Sequence, residues 1–203
     1  MYGLPISTEV KKPLPKAQLF GQLGWLASQR ERFDADVSRL DFANWISPRT
    51  IPAIAVGNEV KEIFVVDIAL KRRNYDIKNI TLLAKSIPQR IIFALRWENE
   101  VQFAAYYTKL FVTGWQLISN NYKVLTIEGL TFDTVWSNLI SSIGNFVVEQ
   151  ENSLTEQIKI DEEKQKLQQQ IANLERQMNA TKQPRRKREL FLEIQKLKGG
   201  ING

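Results

Sequence analysis

The sequence predicts an α+β fold, with a mostly antiparallel sheet of about four to five strands, flanking helices and a C-terminal antiparallel helical hairpin. Apolar residues recur at helical spacing on either side of a middle region rich in β-branched and aromatic runs. After residue 153 aromatic residues become rare, and Leu, Glu, Gln and Lys dominate. These changes predict an extended N-terminal arm over 1–16, an α+β globular domain over 17–150 and a helical hairpin over 153–199.

Prolines shape the start of the chain. Pro5, Pro13 and Pro15 lie among three lysines, and this spacing disfavours a helix. The arm is expected to lie on the domain or on a partner, or to be a strand-like lead-in with solvated lysines. Residues 17–41 then predict a helix, because their apolar residues are three, four and seven apart: Leu19, Leu23, Leu26, Phe33, Val37 and Leu40.

The middle region predicts strands and two helices. Residues 62–70 carry the strongest run of β-branched and aromatic residues in the chain. Pro88 ends a short predicted helix over 79–86, and Thr131 opens a longer one over 131–148. Further strands are predicted at 90–97, 101–109 and 110–117.

Two apolar seams predict the helical hairpin. The first seam is Leu167, Ile171, Leu174 and Met178, and the second, beyond a break at 179–184, is Leu190, Ile194 and Leu197. Folding about the break is expected to place Met178 near Arg185, Leu174 near Leu190, Ile171 near Ile194 and Leu167 near Leu197. The seam residues are also candidates for partner binding. A parallel homodimeric coiled coil is less favoured, because each half spans only two heptads, and a homodimer stays open.

Five cations surround the predicted tip of the hairpin: Lys182, Arg185, Arg186, Lys187 and Arg188. Such a cluster suits contact with the phosphates of DNA, and a solvated charged turn is the alternative. A second basic patch of Lys71, Arg72 and Arg73 follows the strongest strand, where it either contacts nucleic acid or is a solvated strand end. The formal net charge of +6 fits nucleic acid or an acidic protein surface.

The chain contains no histidine and no cysteine. This excludes Ser-His-Asp triads, cysteine nucleophiles and zinc sites made of histidine or thiolate. No glycine-rich phosphate loop or dinucleotide fingerprint is present, so we expect a non-enzyme without a cofactor or metal site.

A metal-dependent nuclease is the one catalytic alternative. It would use Asp67 and the Glu-x-Lys spacing of Glu59 and Lys61, but such sites place the separate acidic residue first, whereas here it comes last. The preferred interpretation makes Asp67 a strand-edge or surface carboxylate that pairs with a lysine or arginine.

The sequence also bears on location. The first residues do not form a basic segment followed by an apolar one, and no apolar run approaches the roughly 20 residues that span a bilayer. We therefore expect a cytoplasmic protein that makes no membrane contact.

A series of landmarks extends nearly from end to end of the chain. They are Leu4-Pro5, Ser7-Thr8, Val10, Lys12, Leu14-Pro15-Lys16, Trp45-Ile46-Ser47-Pro48-Arg49-Thr50-Ile51, Glu62-Ile63-Phe64, Leu70-Lys71, Ser86-Ile87-Pro88, Ile91-Ile92-Phe93, Thr113-Gly114-Trp115, Leu174-Glu175, Arg188-Glu189-Leu190 and Leu197-Lys198. In order and spacing they resemble a bacterial family catalogued as domain of unknown function 4391. The chain lacks a long insertion before Trp115 that some members carry.

The resemblance implies a genomic neighbourhood but no biochemical activity. Members tend to be encoded beside helicase-like and DNA methyltransferase genes of restriction-type defence systems, and the family has no catalytic residues to carry over. Together with the composition, this favours an adaptor subunit for a methyltransferase or helicase partner. A DNA-binding module is the second hypothesis and the nuclease is the third.

Overall fold

The computed structural model describes residues 2–118, 125–149 and 152–201. It divides into two compact units, Met1–Val147 and Val148–Gly203. Among the described helices, none is long and apolar enough to cross a lipid bilayer.

The first unit is built on a mixed sheet. Its strands are β1 (Glu9–Pro13), β2 (Val37–Ile46), β3 (Ile63–Leu70), β4 (Arg90–Trp97), β5 (Glu100–Tyr106), β6 (Leu110–Val112) and β7 (Gln116–Leu117). They lie in the order β1 to β6, with β7 paired to β5, and every pair is antiparallel except β3 with β4. The α+β class and the mostly antiparallel sheet are confirmed. The predicted four to five strands were too few, because the described residues form seven.

The sequence pattern concealed β2 and left β1 as one of two alternatives for the start of the chain. The predicted helix over 17–41 is wrong beyond Asp36, since the chain forms α1 (Lys16–Leu23), α2 (Ala27–Asp36) and then β2. A register shift between Val37 and Arg39 lets Val37 and Leu40 enter the same core, and this spacing of three imitates a helix. The proline-rich start supplies β1 at the sheet edge, where proline is tolerated.

The parallel pair depends on a helical crossover. Parallel neighbours cannot be joined by a tight turn, and here α3 (Ile77–Ser86) connects β3 to β4. The Asp76 carboxylate caps α3 by accepting a hydrogen bond from the Lys78 backbone N–H at 3.0 Å. Pro88 follows the end of the helix, as the sequence predicts.

Helices cover both faces of the sheet. Alternation along the strands turns Val66, Ile68 and Phe93 toward a core shared with the first three helices. The neighbouring positions face the other way, where α4 (Phe132–Gly144) lies against β5 and β6. The Trp136 ring of α4 lies 5.8 Å from the Arg90 guanidinium of β4. The unit therefore has three layers, with the sheet in the middle.

The second unit is a pair of long helices. Helix α5 (Leu154–Ala180) begins with a capping box in which Ser153 and Glu156 exchange hydrogen bonds. Three residues separate it from α6 (Pro184–Ile201), against which it packs, and Pro184 occupies the first position of α6. The predicted C-terminal helix pair is confirmed.

Candidate functional site

The basic tip, defined as Lys182, Arg185, Arg186, Lys187 and Arg188, lies where α5 passes into α6. Lys182 is in the connection and the four others occupy the start of α6, all of them exposed. Glu189 pairs with Arg185 at 3.5 Å and with Arg186 at 3.2 Å. Among the described residues, Lys182, Lys187 and Arg188 have no ion-pair partner. Two of the five cations therefore share one carboxylate.

The position of the basic tip is unfavourable for the helix itself. The first turn of α6 contains no acidic residue, and the N-terminal end of a helix dipole is positive. Each cation placed there costs a few tenths of a kcal/mol, up to about 1 kcal/mol at low salt. Helix stability therefore does not account for four cations at this end of α6.

The predicted seams lie inside the helix pair. Ile171, Leu190 and Ile194 are buried. The remaining seam residues are half-buried: Leu167, Leu174, Met178 and Leu197. The buried side chains are occupied by packing, so a partner would have to contact other parts of the pair.

The predicted register of the helix pair is wrong toward the end of α6. Lys198 Nζ lies 2.8 Å from Glu175 Oε1. The prediction sets Leu197 beside Leu167, which is eight residues or about 12 Å along α5 from Glu175. Heptad spacing does not fix the conformation of the three-residue connection, and this conformation sets where α6 begins relative to α5. Helix α6 is therefore displaced along α5 from the predicted register.

Sequence reasoning missed Phe191 and Leu192 as surface residues. Their side chains are 49% and 59% exposed on α6, although both are large and apolar. The signal was present, because successive residues of a helix point about 100° apart and three in a row cannot share one seam. Since Leu190 occupies the seam, its two neighbours must face outward, next to Arg188.

The second predicted basic patch is engaged within the first unit. Lys71 Nζ donates a hydrogen bond to the Asp34 carbonyl at 2.5 Å. The Arg72 guanidinium pairs with Asp36 at 2.5 Å. Arg73 pairs with Glu100 at 2.7 Å and lies over the Trp115 ring. These three cations hold together the ends of neighbouring elements.

Asp36 is the centre of this arrangement. Its buried carboxylate also accepts hydrogen bonds from the Asp76 backbone N–H at 2.9 Å and the Asn79 amide at 2.7 Å. Burial raises the pKa of Asp36, but these donors and the Arg72 guanidinium outweigh it and hold the pKa below its ordinary value. Helix α2, the end of β3 and the start of α3 are joined at this one side chain.

Asp67 is not the surface or strand-edge carboxylate that the sequence suggested. It lies in β3, inside the sheet, and is only 3% exposed. The predicted pairing with a basic residue is confirmed: Arg96 Nε lies 2.5 Å from its Oδ1, and the Tyr2 hydroxyl donates to its Oδ2 at 2.7 Å. Burial, together with the Asp67 charge, raises the pKa of Tyr2 well above its ordinary value.

The two carboxylates of the nuclease hypothesis lie beside different arginines, Asp67 beside Arg96 and Glu59 at 3.9 Å from Arg90. Glu59 and Lys61 lie in the loop before β3, where Lys61 Nζ donates to the Gly57 carbonyl at 2.7 Å. Within the described part of the chain, no three acidic side chains are grouped so that they could hold a metal ion.

A charged pocket of about 230 Å³ opens beside Asp67 and Arg96. Its other charged residues form two more pairs, Glu9 with Lys11 at 2.5 Å and Arg39 with Asp41 at 2.7 Å. Each charge that lines the pocket thus has an opposite partner, and the pocket offers no net charge to a ligand.

Comparison with known proteins identifies a family. The family model described as domain of unknown function, DUF4391, matches residues 2–200 of the chain. No curated protein and no solved structure matches. The match covers the first unit and nearly all of the helix pair. The chain therefore belongs to the DUF4391 family.

Proposed function

We propose that the chain is a non-catalytic interaction subunit whose C-terminal helices form an antiparallel, coiled-coil-like hairpin that docks a protein partner. One observation carries the proposal. Phe191 and Leu192 lie side by side and exposed on α6, next to the basic tip. Exposed apolar side chains beside arginines are typical of the centre of a protein interface.

The surface indicates the chemistry of its partner. Phe191 and Leu192 require an apolar groove, and the basic tip requires carboxylates at the rim of that groove. A partner helix with an apolar stripe bordered by Asp and Glu would satisfy both. The family resemblance supports a DNA methyltransferase or helicase-like protein of a restriction-modification-like or phage-defence system.

The test is the affinity, measured by calorimetry, between the chain and a DNA methyltransferase or helicase-like protein of the kind that the family resemblance implies. In the variant Phe191→Ser/Leu192→Ser we expect a loss of at least about tenfold, since truncation at the centre of an interface costs more than about 1.4 kcal/mol. The matched control is Ile6→Ser, because Ile6 is an 85% exposed apolar residue of the first unit.

Three outcomes would contradict the proposal. One is an unchanged affinity of the double variant, and another is an equal loss in the Ile6→Ser control. The third is self-association of the intact chain through Phe191, which would make a second copy the occupant of this surface.

A second candidate function is DNA binding by the basic tip. The supporting observation is that Arg185 is 95% exposed in a group of five cations with a single carboxylate. We expect replacement of Arg185, Arg186, Lys187 and Arg188 by alanine to remove DNA binding and most of its salt dependence, because each phosphate contact adds about 0.9 to the salt slope.

The matched control for DNA binding removes exposed lysines from α5, as in Lys159→Ala/Lys164→Ala/Lys166→Ala. The control is expected to keep the salt slope of the intact chain. If the intact chain does not bind DNA at low salt, this second function is excluded and the tip belongs to the protein contact.

A further inference from the structure

The first unit contains a cavity of about 440 Å³ that no step of the proposed docking uses. It lies between α1, the C-terminal end of α3 and the sheet face that these helices cover. Its accessible floor is apolar and consists mainly of half-buried side chains, among them Leu14, Leu23 and Ile87. Leu40, Val66, Leu83 and Phe93 also line it but are at most 2% exposed. The volume is within the range of small-molecule sites, about 300 to 1,000 Å³.

Aromatic rings and one carboxylate lie at one end of the cavity, where β2 and β3 pair. Phe42 and Phe64 line it with their ring centres 6.0 Å apart, and Trp45 stacks against Phe64 at 6.5 Å. All three rings are half-buried. The carboxylate of Glu62 also lines the cavity and accepts a hydrogen bond from Trp45 Nε1 at 2.7 Å.

Glu62 has no counterion within the described part of the chain. No lysine or arginine forms an ion pair with it there, and the hydrogen bond from Trp45 is accepted by Oε2. A carboxylate beside aromatic faces attracts a cation, because the ring quadrupole and the negative charge act in the same direction. The charge at this end of the cavity therefore favours a cationic group over an anionic one.

We propose that this cavity binds a small molecule with an apolar body and a protonated amine at one end. The apolar body lies on the floor formed by Leu14, Leu23 and Ile87. The ammonium group lies between the Glu62 carboxylate and the Phe64 ring. A lysine side chain from a partner would reach Glu62 but would leave most of the floor unfilled.

The proposal is tested with decylamine, decanol and decanoate, each titrated below its micelle concentration into the full chain by calorimetry. We expect decylamine to bind at least about tenfold more tightly than decanol, since a hydrogen bond between charged groups is stronger than one between neutral groups. Decanoate is expected to bind least, because Glu62 repels its carboxylate. Glu62→Gln is expected to lower the affinity for decylamine by about tenfold and to leave the affinity for decanol unchanged. Unchanged binding of decanol also shows that the variant is folded.

Two further variants control the experiment. Glu128→Gln removes an exposed carboxylate that precedes α4 on the other face, and its decylamine affinity is expected to match the intact chain. Leu23→Trp fills the cavity from α1 and is expected to abolish binding of both decylamine and decanol while circular dichroism stays native. The proposal is overturned if decylamine does not bind, if decanol binds equally well, or if Glu62→Gln leaves the decylamine affinity unchanged.

Discussion

The two units of the molecule use their charged residues in opposite ways. In the first unit, carboxylates such as Asp36, Asp67 and Asp133 accept two or more hydrogen bonds or ion pairs from other elements. In the helix pair, cations are concentrated at an exposed tip with one carboxylate among them. The comparison indicates that charge stabilises the fold in the first unit and remains available for a partner in the second.

The largest effect is expected at Asp36. Asp36→Ala leaves the Arg72 guanidinium, the Asp76 N–H and the Asn79 amide without their acceptor. Each buried donor left without an acceptor costs about 1–3 kcal/mol, whereas the Arg72 guanidinium, which is 58% exposed, regains water. Urea unfolding followed by circular dichroism measures this loss. The control Glu163→Gln, at an exposed position of α5, is expected to stay within about 0.5 kcal/mol of the intact chain. Equal stabilities of the two variants would remove the distinction between the units.

The next largest effect on the unfolding free energy is expected at Leu190, whereas its neighbour Phe191 is expected to have little effect. Leu190→Ala is expected to destabilise the protein by about 2–4 kcal/mol, because it opens a cavity where the side chain is 1% exposed. Phe191→Ala is expected to change the unfolding free energy by less than about 1 kcal/mol, since half of its surface already contacts water. Thermal and urea unfolding of the two variants give the comparison. A larger loss at Phe191 would mean that this side chain serves the fold rather than a partner.

The pH dependence of stability tests whether the charge of the Asp133 carboxylate stabilises the first unit. Its carboxylate accepts hydrogen bonds from the backbone N–H groups of Asn58, Glu59 and Val60 at 2.6, 3.1 and 2.7 Å. Desolvation raises the pKa of Asp133, but these three donors outweigh it and lower the pKa below its ordinary value of 3.8.

Because the folded pKa is depressed, the stabilisation by Asp133 is present above the unfolded pKa and is lost as the pH falls through the folded pKa. We expect Asp133→Asn to cost about 1–2 kcal/mol at pH 7 and less at pH 2, because protonation of the Asp133 carboxyl weakens its hydrogen bonds in the intact chain. Urea unfolding at both pH values measures the difference. A cost that persists unchanged at pH 2 would show that the carboxylate charge is not the cause.

Much of the fold was visible in the sequence, and the failures have identifiable causes. The strand at Ile63–Leu70, the helix that begins at Phe132 and the helix pair follow from β-branched content, a threonine cap and apolar spacing. Strand β2 was missed because a bulge gave its buried residues a helical spacing. Strand β1 matches the strand-like lead-in that was one alternative for the start of the chain, but its pairing with β2 was not predicted, because pairing at a sheet edge depends on a distant partner.

The candidate site was predictable only in part. The cations of the basic tip and the run from Leu190 to Leu192 can be read directly from the sequence. That Lys71, Arg72 and Arg73 are engaged with Asp34, Asp36 and Glu100 depends on the tertiary fold. The same is true of the cavity beside Glu62, whose lining comes from β2, β3, β4, α1 and α3.

The most direct test of the contrast between the units is the unfolding free energy of a variant in which Arg185, Arg186, Lys187 and Arg188 are alanine. Removing cations from a helix N-terminus relieves repulsion with the dipole, and alanine is a strong helix former. We expect the variant to be as stable as the intact chain or up to about 1 kcal/mol more stable in urea unfolding at low salt. A loss of more than about 1 kcal/mol would contradict the account, because the basic tip would then be part of what holds the fold together.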